Sequence, residues 1–186
     1  MALLPISTNS YNSFRADVLA RASQGLGYDV DGYYGYQCWD LCAELWQNIG
    51  FGGGYPLTGP NHSAEECWTV SRNANAGNDF TLIYNISDLK RGDVIVLGSS
   101  PLSSTGHIAF CDEDYNGNTM NLLGQNQVNP NFTTGHIPTV TNVSITAFLG
   151  AFRYHGWSQP TPIIKRDVQP KRFPWVIYAR KIRQRY

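Results

Sequence analysis

The first half of the chain carries apolar residues at the spacing of amphipathic helices. One set shares a helical face near the start of the chain: Phe14, Val18, Leu19 and Ala22. Ser10 and Ser13 are candidate caps for the start of this helix, and Gly25 and Gly27 follow its end. A second helix is predicted over residues 38–48 and is ended by Gly50. Its apolar members are Leu41, Cys42, Leu45, Trp46 and Ile49.

The pattern changes from helix to strand after Asp93. Before that point, Ser63 and Glu66 have the spacing of a capping box and predict a short third helix through Val70. Beyond it, four runs have the composition of strands: Val94–Leu97, His107–Cys111, Met120–Leu123 and Ile145–Tyr154. Because helices precede a mostly antiparallel sheet, the predicted fold class is α+β.

Composition narrows the class of protein. The 186 residues suffice for one domain, and 42% apolar with 13% aromatic residues exclude a disordered chain, a collagen and a coiled coil. No apolar run approaches the roughly 18 residues that span a bilayer. Residues 1–10 lack the pattern of a signal peptide. We therefore expect a protein made in the cytoplasm, with no membrane span.

Charge is balanced overall but not along the chain. Of 14 basic and 14 acidic residues, eight basic ones and only Asp167 of the acidic ones fall in residues 161–186. Four of the ten prolines lie in residues 158–186. We predict a domain that ends near Trp157 and a basic, aromatic tail that binds a protein partner. Nucleic-acid binding would rest on this tail alone and is not expected.

Four cysteines are too few for a disulfide scaffold in a chain of this length, and no two form a CxxC zinc pair. Cys38 falls at the first turn of the second predicted helix. Unpaired N–H groups at that position favour a thiolate and lower the pKa of the thiol. Cys38 is therefore the best candidate nucleophile, whereas Cys42 and Cys67 fit the alternative of a small buried residue.

His107 is the one histidine inside a predicted strand. The alternation of that strand puts His107, Ala109 and Cys111 on one face. A strand can hold an imidazole against a thiol on a helix, which is the geometry of a Cys/His acyl-transfer site. The alternative is a half-buried histidine that bonds a backbone carbonyl.

An acidic segment precedes Cys38. Asp29 and Asp31 are two residues apart, Gly32 lets the loop turn, and Asp40 adds a third carboxylate. Such hard oxygen ligands resemble the opening of a calcium loop. Asp-x-Asp-Gly is also a common turn sequence, so the segment alone leaves both interpretations open.

Four segments of the chain together resemble one protein family. They are Tyr36-Gln37-Cys38-Trp39-Asp40-Leu41, Arg91-Gly92-Asp93-Val94-Ile95-Val96, Gly106-His107-Ile108-Ala109-Phe110 and Gly124-Gln125-Asn126. Their order and spacing are similar to those of CHAP domains, the cysteine, histidine-dependent amidohydrolases/peptidases, over about residues 10–157. The resemblance implies a papain-like fold, a catalytic domain at 1–157, and cleavage of amide bonds in bacterial peptidoglycan, as in phage lysins.

The resemblance also implies roles for single residues. Cys38 would be the nucleophile, His107 the base, and Asn126 the group that orients the imidazole. The Cys38 backbone N–H and the Gln37 side chain would hold the oxyanion. In the calcium-binding branch of the family, the ligands match the carboxylates of Asp29, Asp31 and Asp40 and the carbonyls of Tyr33 and Gly35. Calcium is therefore the expected cofactor.

One departure from the family pattern bears on activity. Members commonly have Glu-x-Asn where this chain has Gly124-Gln125-Asn126, so the acidic orienter is replaced by glycine. The leading hypothesis is a Cys-His peptidoglycan hydrolase, either an endopeptidase or an N-acetylmuramoyl-L-alanine amidase, that acts as a released lysin or from the virion. The alternative is a non-catalytic structural virion protein that keeps a CHAP-like shell, held to other phage proteins by the tail. A metal-dependent hydrolase ranks third, since the chain has no zinc set.

Overall fold

The computed structural model describes residues 6–52, 54–100 and 103–157. The helices are α1 (Tyr11–Ala22), α2 (Cys38–Asn48), α3 (Glu66–Thr69) and α4 (Arg72–Ala76), with a 3₁₀ turn at Ile86–Asp88. The strands are β1 (Phe80–Ile83), β2 (Val94–Leu97), β3 (His107–Cys111), β4 (Thr119–Gly124), β5 (Thr139–Ser144) and β6 (Phe148–Tyr154). The predicted tail at 158–186 lies outside the described residues.

The strands form one open sheet in the order β1-β6-β2-β3-β4-β5, with antiparallel neighbours throughout. The prediction of an α+β fold is confirmed. The last predicted strand is shortened, because Phe148 N–H bonds the carbonyl of Ile145 in a turn. The sequence pattern missed β1 and β5, which lie at the two edges of the sheet, and β5 is too polar and exposed to give a strand signal.

Helix boundaries follow the caps read from the sequence. The Ser10 hydroxyl accepts a hydrogen bond from Ser13 N–H at the start of α1, 3.2 Å away. Helix α2 has the predicted bounds, and Gly50 follows it with φ +70°, a conformation that glycine adopts without strain. The third predicted helix is α3, which ends at Thr69, one residue before the predicted end, and α4 follows it as a further short helix that was not predicted. No helix among the described residues is long and apolar enough to cross a membrane.

The helices pack on one face of the sheet through aromatic side chains. The rings of Trp46 and Phe80 stack 4.2 Å apart, and Trp46 also packs edge-to-face on Phe152. Ile108 and Phe110 of β3 join this cluster, whereas Ala109 and Cys111 join the core on the opposite face. Helix α2 contacts β3, and the backbone N–H of Ile108 near the start of the strand faces the sulfur of Cys38 at the start of the helix.

The Arg-Gly-Asp segment before β2 has a structural role. Asp93 is buried and accepts hydrogen bonds from the guanidinium of Arg153 at 2.8 and 2.7 Å and from Lys90 N–H at 2.8 Å. A buried carboxylate is tolerated when it is paired and hydrogen-bonded in this way. Asp93 therefore fixes the turn into β2 and ties it to β6.

Candidate active site

Cys38 and His107 line the same surface cavity, which has a volume of about 220 Å³. Cys38 is the first residue of α2 and His107 the first residue of β3, so two regular elements fix their backbones. The wall of the cavity also includes the aromatic side chains of Tyr34, Trp39 and Phe132. This arrangement is thus compatible with the expected contact between the Cys38 thiol and the His107 imidazole.

The electrostatic environment of the Cys38 thiol differs from the expectation. Backbone N–H groups of Ile108, Trp39 and Cys38 itself act on the sulfur and lower its pKa, as a helix start should. Burial nevertheless dominates and raises the pKa of the Cys38 thiol to about 11, with a further increase from Asp40. The prediction of a lowered pKa is therefore wrong for the cavity as it stands, because desolvation outweighs the helix terminus.

His107 is neutral for the same physical reason. Burial lowers the pKa of the imidazole to about 4, and a hydrogen-bonding contact with Gln127 raises it only in part. Nε2 of His107 is fully enclosed and has no well-formed hydrogen bond to any described residue. At neutral pH the free site therefore holds an uncharged thiol and an uncharged imidazole, and the imidazole is ready to accept a proton.

Asn126 does not make the predicted contact with His107. Its Nδ2 donates to Gln37 Oε1 at 2.7 Å and to the carbonyl of Asn131 at 3.1 Å, and its Oδ1 accepts from Asn131 N–H at 2.8 Å. The chain turns sharply after β4, and Asn126 has φ +50°. That turn directs the Asn126 amide toward the loop before α2, while the next side chain, that of Gln127, reaches the imidazole.

The Gln37 side chain is also fully engaged. Its Nε2 donates to the carbonyls of Tyr34 at 2.5 Å and Asn131 at 3.1 Å, and its Oε1 accepts from Asn126. Both amide hydrogens are therefore used within the protein. The expected oxyanion contact from Gln37 would need one of these hydrogen bonds to break, so the backbone N–H of Cys38 is the better-placed donor in this architecture.

The three acidic residues of the loop converge. One carboxylate oxygen from each of Asp29, Asp31 and Asp40 lies within 4.8 Å of the others. Asp40 is 1% exposed, and burial with repulsion from Asp31 and Asp29 raises the pKa of its carboxyl to about 7. The N–H groups of Val30 and Gln37 donate to this carboxyl at 2.8 and 2.9 Å and oppose the increase in pKa. Three clustered oxygen donors fit a hard divalent cation.

The predicted carbonyl ligands belong to the same loop. Tyr33 N–H donates to Asp31 Oδ1 at 2.8 Å, which closes an Asx turn. The Gly35 carbonyl accepts from Gln37 N–H at 2.9 Å, and Gly35 has φ +65°. This glycine is required by space as well, since a Cβ there would meet the Thr134 carbonyl.

Gln125 holds both ends of the acidic loop, a role that the sequence analysis did not assign to it. Its buried amide accepts from Tyr28 N–H at 2.7 Å and donates to the carbonyls of Tyr28 at 3.0 Å and Gln37 at 2.8 Å. It therefore connects the residues just before Asp29 and just before Cys38 to the end of β4. The only sequence signal was its position in the Gly-Gln-Asn segment.

A second loop at the cavity is fixed by Glu66. Its carboxylate accepts hydrogen bonds from the N–H groups of Gly59, Asn61 and Ser63 at distances near 3.1–3.3 Å. The loop so held carries His62, which lines the cavity with φ +54°. The contact with Ser63 is the half of the predicted capping box that forms, whereas the bonds from Gly59 and Asn61 were not predicted.

The comparisons with known proteins identify relatives of part of the chain. No family model matches. Over 109 residues the chain is 32% identical to the D-alanyl-L-alanine endopeptidase of Streptococcus phage B30. This match covers 56% of the chain but 23% of the relative, so the chain spans about a quarter of that protein's length.

Two solved structures have a similar fold. The endolysin LysIME-EF1 aligns with a TM-score of 0.59 at 27% identity, over 78% of this chain and 64% of the endolysin. Ly7917, solved with the hydrolyzing product of MDP, aligns with a TM-score of 0.51 at 20% identity, over 74% and 59% of the two chains. The α+β fold of the chain is thus shared with the endolysin LysIME-EF1 and with Ly7917.

Proposed function

We propose that the protein is a peptidoglycan hydrolase of phage origin that cleaves an amide bond of the bacterial cell wall by a Cys-His thiol mechanism. The observation that carries this proposal is the shared cavity, in which Cys38 at a helix start and His107 at a strand start line one open space. The similarity to a phage endopeptidase and to endolysin folds supports the same substrate class.

The proposed reaction begins from the neutral pair. As the Cys38 sulfur attacks the amide carbonyl, its proton passes to His107, whose low pKa leaves it unprotonated and able to accept. The C–N bond then breaks as His107 returns the proton to the leaving amine. Water, deprotonated by His107, hydrolyses the thioester and releases the acid, and the thiol is restored.

The position of Cys38, half-buried in the wall of the cavity, affects the charge that develops. The Cys38 backbone N–H would hold the oxyanion of the tetrahedral intermediate, and Gln37 with Asn126 would keep that N–H in place through the bonds between their amides. A protonated His107 next to a developing negative charge is stabilised by it, which offsets the burial that holds both free groups neutral.

Calcium is the proposed cofactor, held by the carboxylates of Asp29, Asp31 and Asp40 with the carbonyls of Tyr33 and Gly35. A cation there would neutralise the mutual repulsion of the carboxylates and order the loop that leads into Cys38. The chain's own residues, Gln125 above all, already hold both ends of that loop. The cation would therefore stabilise the nucleophile's position without contacting substrate.

The decisive test is loss of turbidity of purified host cell walls, with calcium and with chelator, for the wild type and for Cys38→Ser. We expect clearing by the wild type and none by the variant. Muramidase digestion followed by mass spectrometry then identifies the bond. An endopeptidase converts cross-linked muropeptides into monomers that keep muramic acid, whereas an amidase releases peptides that lack it.

The second candidate is a non-catalytic virion protein with the same fold. The observation that favours it is the uncharged Cys38/His107 pair, in which no acidic group of the described residues acts on the imidazole. Walls that stay turbid with wild-type protein, but bind it in a sedimentation assay, would support this function and reject the hydrolase. Under either proposal, the 158–186 tail would attach the protein to the phage particle, which would carry it to the cell wall.

A further inference from the structure

Two buried polar atoms near the cavity lack well-formed hydrogen bonds among the described residues, and they have complementary chemistry. One is Nε2 of His107 and the other is Oε1 of Gln127. A ring N–H donates and an amide carbonyl accepts, so each can satisfy the other. The two side chains are close enough for a hydrogen-bonding contact, and His107 and Gln127 also line a common cavity.

The orientation of the Gln127 amide is fixed by its nitrogen. Nε2 donates to the carbonyl of Leu122 at 3.1 Å and to the carbonyl of Thr139 at 2.9 Å. Two carbonyl partners identify this end of the amide as the nitrogen, because an oxygen there would face two acceptors. The carbonyl end must therefore point the other way, and bonds to β4 and β5 hold the side chain in that position.

Gly124 provides the space that the Gln127 amide occupies. A Cβ at Gly124 would lie 2.9 Å from Gln127 Oε1, 3.0 Å from its Cδ and 2.9 Å from the Cβ of Ala109. Gly124 is not among the residues with positive φ, so its backbone would accept a side chain. A side chain at this position would therefore be crowded by the Gln127 carbonyl on one side and by the Ala109 methyl group on the other.

We propose that Gln127 is the positioning residue of His107. It would take over the role of the acidic residue that CHAP domains commonly have at the position of Gly124, three residues earlier in the chain. Its Oε1 accepts a hydrogen bond from Nε2–H of the imidazole. This selects the tautomer that carries the proton on Nε2 and leaves Nδ1 as the basic nitrogen. The effect of Gln127 on catalysis rests on the proposed function, whereas its effect on the His107 tautomer does not.

A neutral amide has a different effect from a carboxylate. It orients the ring but adds no negative charge. Among the described residues, burial lowers the pKa of His107 and Gln127 raises it, and no charged group contributes. The imidazole stays a weak base in the free protein as a result. A carboxylate at the same place would raise the pKa of His107 and stabilise its protonated form.

The test measures the imidazole directly. Nitrogen-15 NMR of the full chain reports the tautomer and the pKa of His107 in the wild type, in Gln127→Met, which keeps the shape but removes the acceptor, and in Gln127→Glu. We expect the Nε2–H tautomer in the wild type, a mixture of tautomers in Gln127→Met, and a higher pKa in Gln127→Glu. The matched control is Gln47→Ala, at an exposed glutamine of α2.

Wall hydrolysis provides the second measurement. Gln127→Met should lower kcat by about 10–100-fold with little change in KM, because the catalytic base is no longer held in position. Gln127→Glu should recover part of this loss. If Gln127→Met does not fold, Gly124→Ala displaces the intact amide and should disturb the tautomer in the same way. An unchanged tautomer in Gln127→Met, or in Gly124→Ala if only that variant folds, overturns the inference.

The two readouts separate the two proposals. A wild type that never clears cell walls, yet has the Nε2–H tautomer and loses it in Gln127→Met, rejects the hydrolase and keeps the role of Gln127. Clearing that persists in Gln127→Met, with the tautomer unchanged, rejects the role of Gln127 and keeps the hydrolase.

Discussion

Calcium should stabilise the protein by an amount that grows as the pH rises through the titration of Asp40. In the metal-free protein the pKa of this carboxyl is about 7, against an ordinary value of 3.8. The folded protein therefore binds a proton that the unfolded chain releases, and this stability is lost as pH rises from about 4 to 7. A cation in the loop removes the penalty because it neutralises the charged carboxylates.

The size of the effect follows from the increase in pKa. About three pKa units correspond to roughly 4 kcal/mol at most. Burial of Asp40 is the largest cause of the increase, and repulsion from the exposed Asp29 and Asp31, which water screens, adds to it, so we expect a gain of about 2 kcal/mol. For a domain of this size that is an increase in Tm of roughly 4–8 °C.

The assay is differential scanning calorimetry in millimolar calcium and in chelator, at several pH values between 5 and 8. The difference in Tm should be small at pH 5 and largest at pH 8. Titration of His107 affects both conditions alike and cancels in the difference. Asp40→Asn should abolish the difference, and Asp114→Asn, at an exposed carboxylate, should keep it. A difference that is absent, or that is constant with pH, would refute the reasoning.

Further predictions concern the nucleophile, the loop anchor and the tail. Cys38→Ser should remove wall clearing with an unchanged circular dichroism spectrum, while Cys67→Ala should keep clearing; equal loss in both would argue against Cys38. Cys38→Ser with His107→Ala should be no worse than either alone, since the two act as a unit, and a much lower rate in the double variant would contradict this. Gln125→Leu removes the partner of the buried Tyr28 N–H and carbonyl, while the Gln37 carbonyl keeps its bond from Asp40 N–H, and should lower the free energy of unfolding in urea by about 2–4 kcal/mol, a loss that an unchanged urea midpoint would exclude. Deletion of 160–186 should spare clearing in solution but prevent incorporation into particles; loss of folding on deletion would make the tail part of the domain.

The sequence determined the elements that carry the candidate site. The bounds of α2, β2 and β3 follow from apolar periodicity and from neighbouring caps and glycines, all of which are local signals. The positions of Cys38 at a helix start and His107 at a strand start follow with them. The proximity of Asp29 and Asp31 also follows from the sequence, because they are two residues apart in a tight loop, whereas Asp40 lies nine positions further on and was added to the ligand set by the family resemblance.

Tertiary structure alone decided the charge state of the site and the partners of its amides. The helix start lowers the thiol pKa as the sequence implied, but burial, which depends on everything packed around the sulfur, raises it more. Three consecutive amides, those of Gln125, Asn126 and Gln127, look equivalent in the sequence. The turn after β4 sends them to the acidic loop, to Gln37 and toward His107, respectively. Hydrogen bonds between residues some 90 positions apart depend on how distant segments pack, and no local pattern encodes that direction.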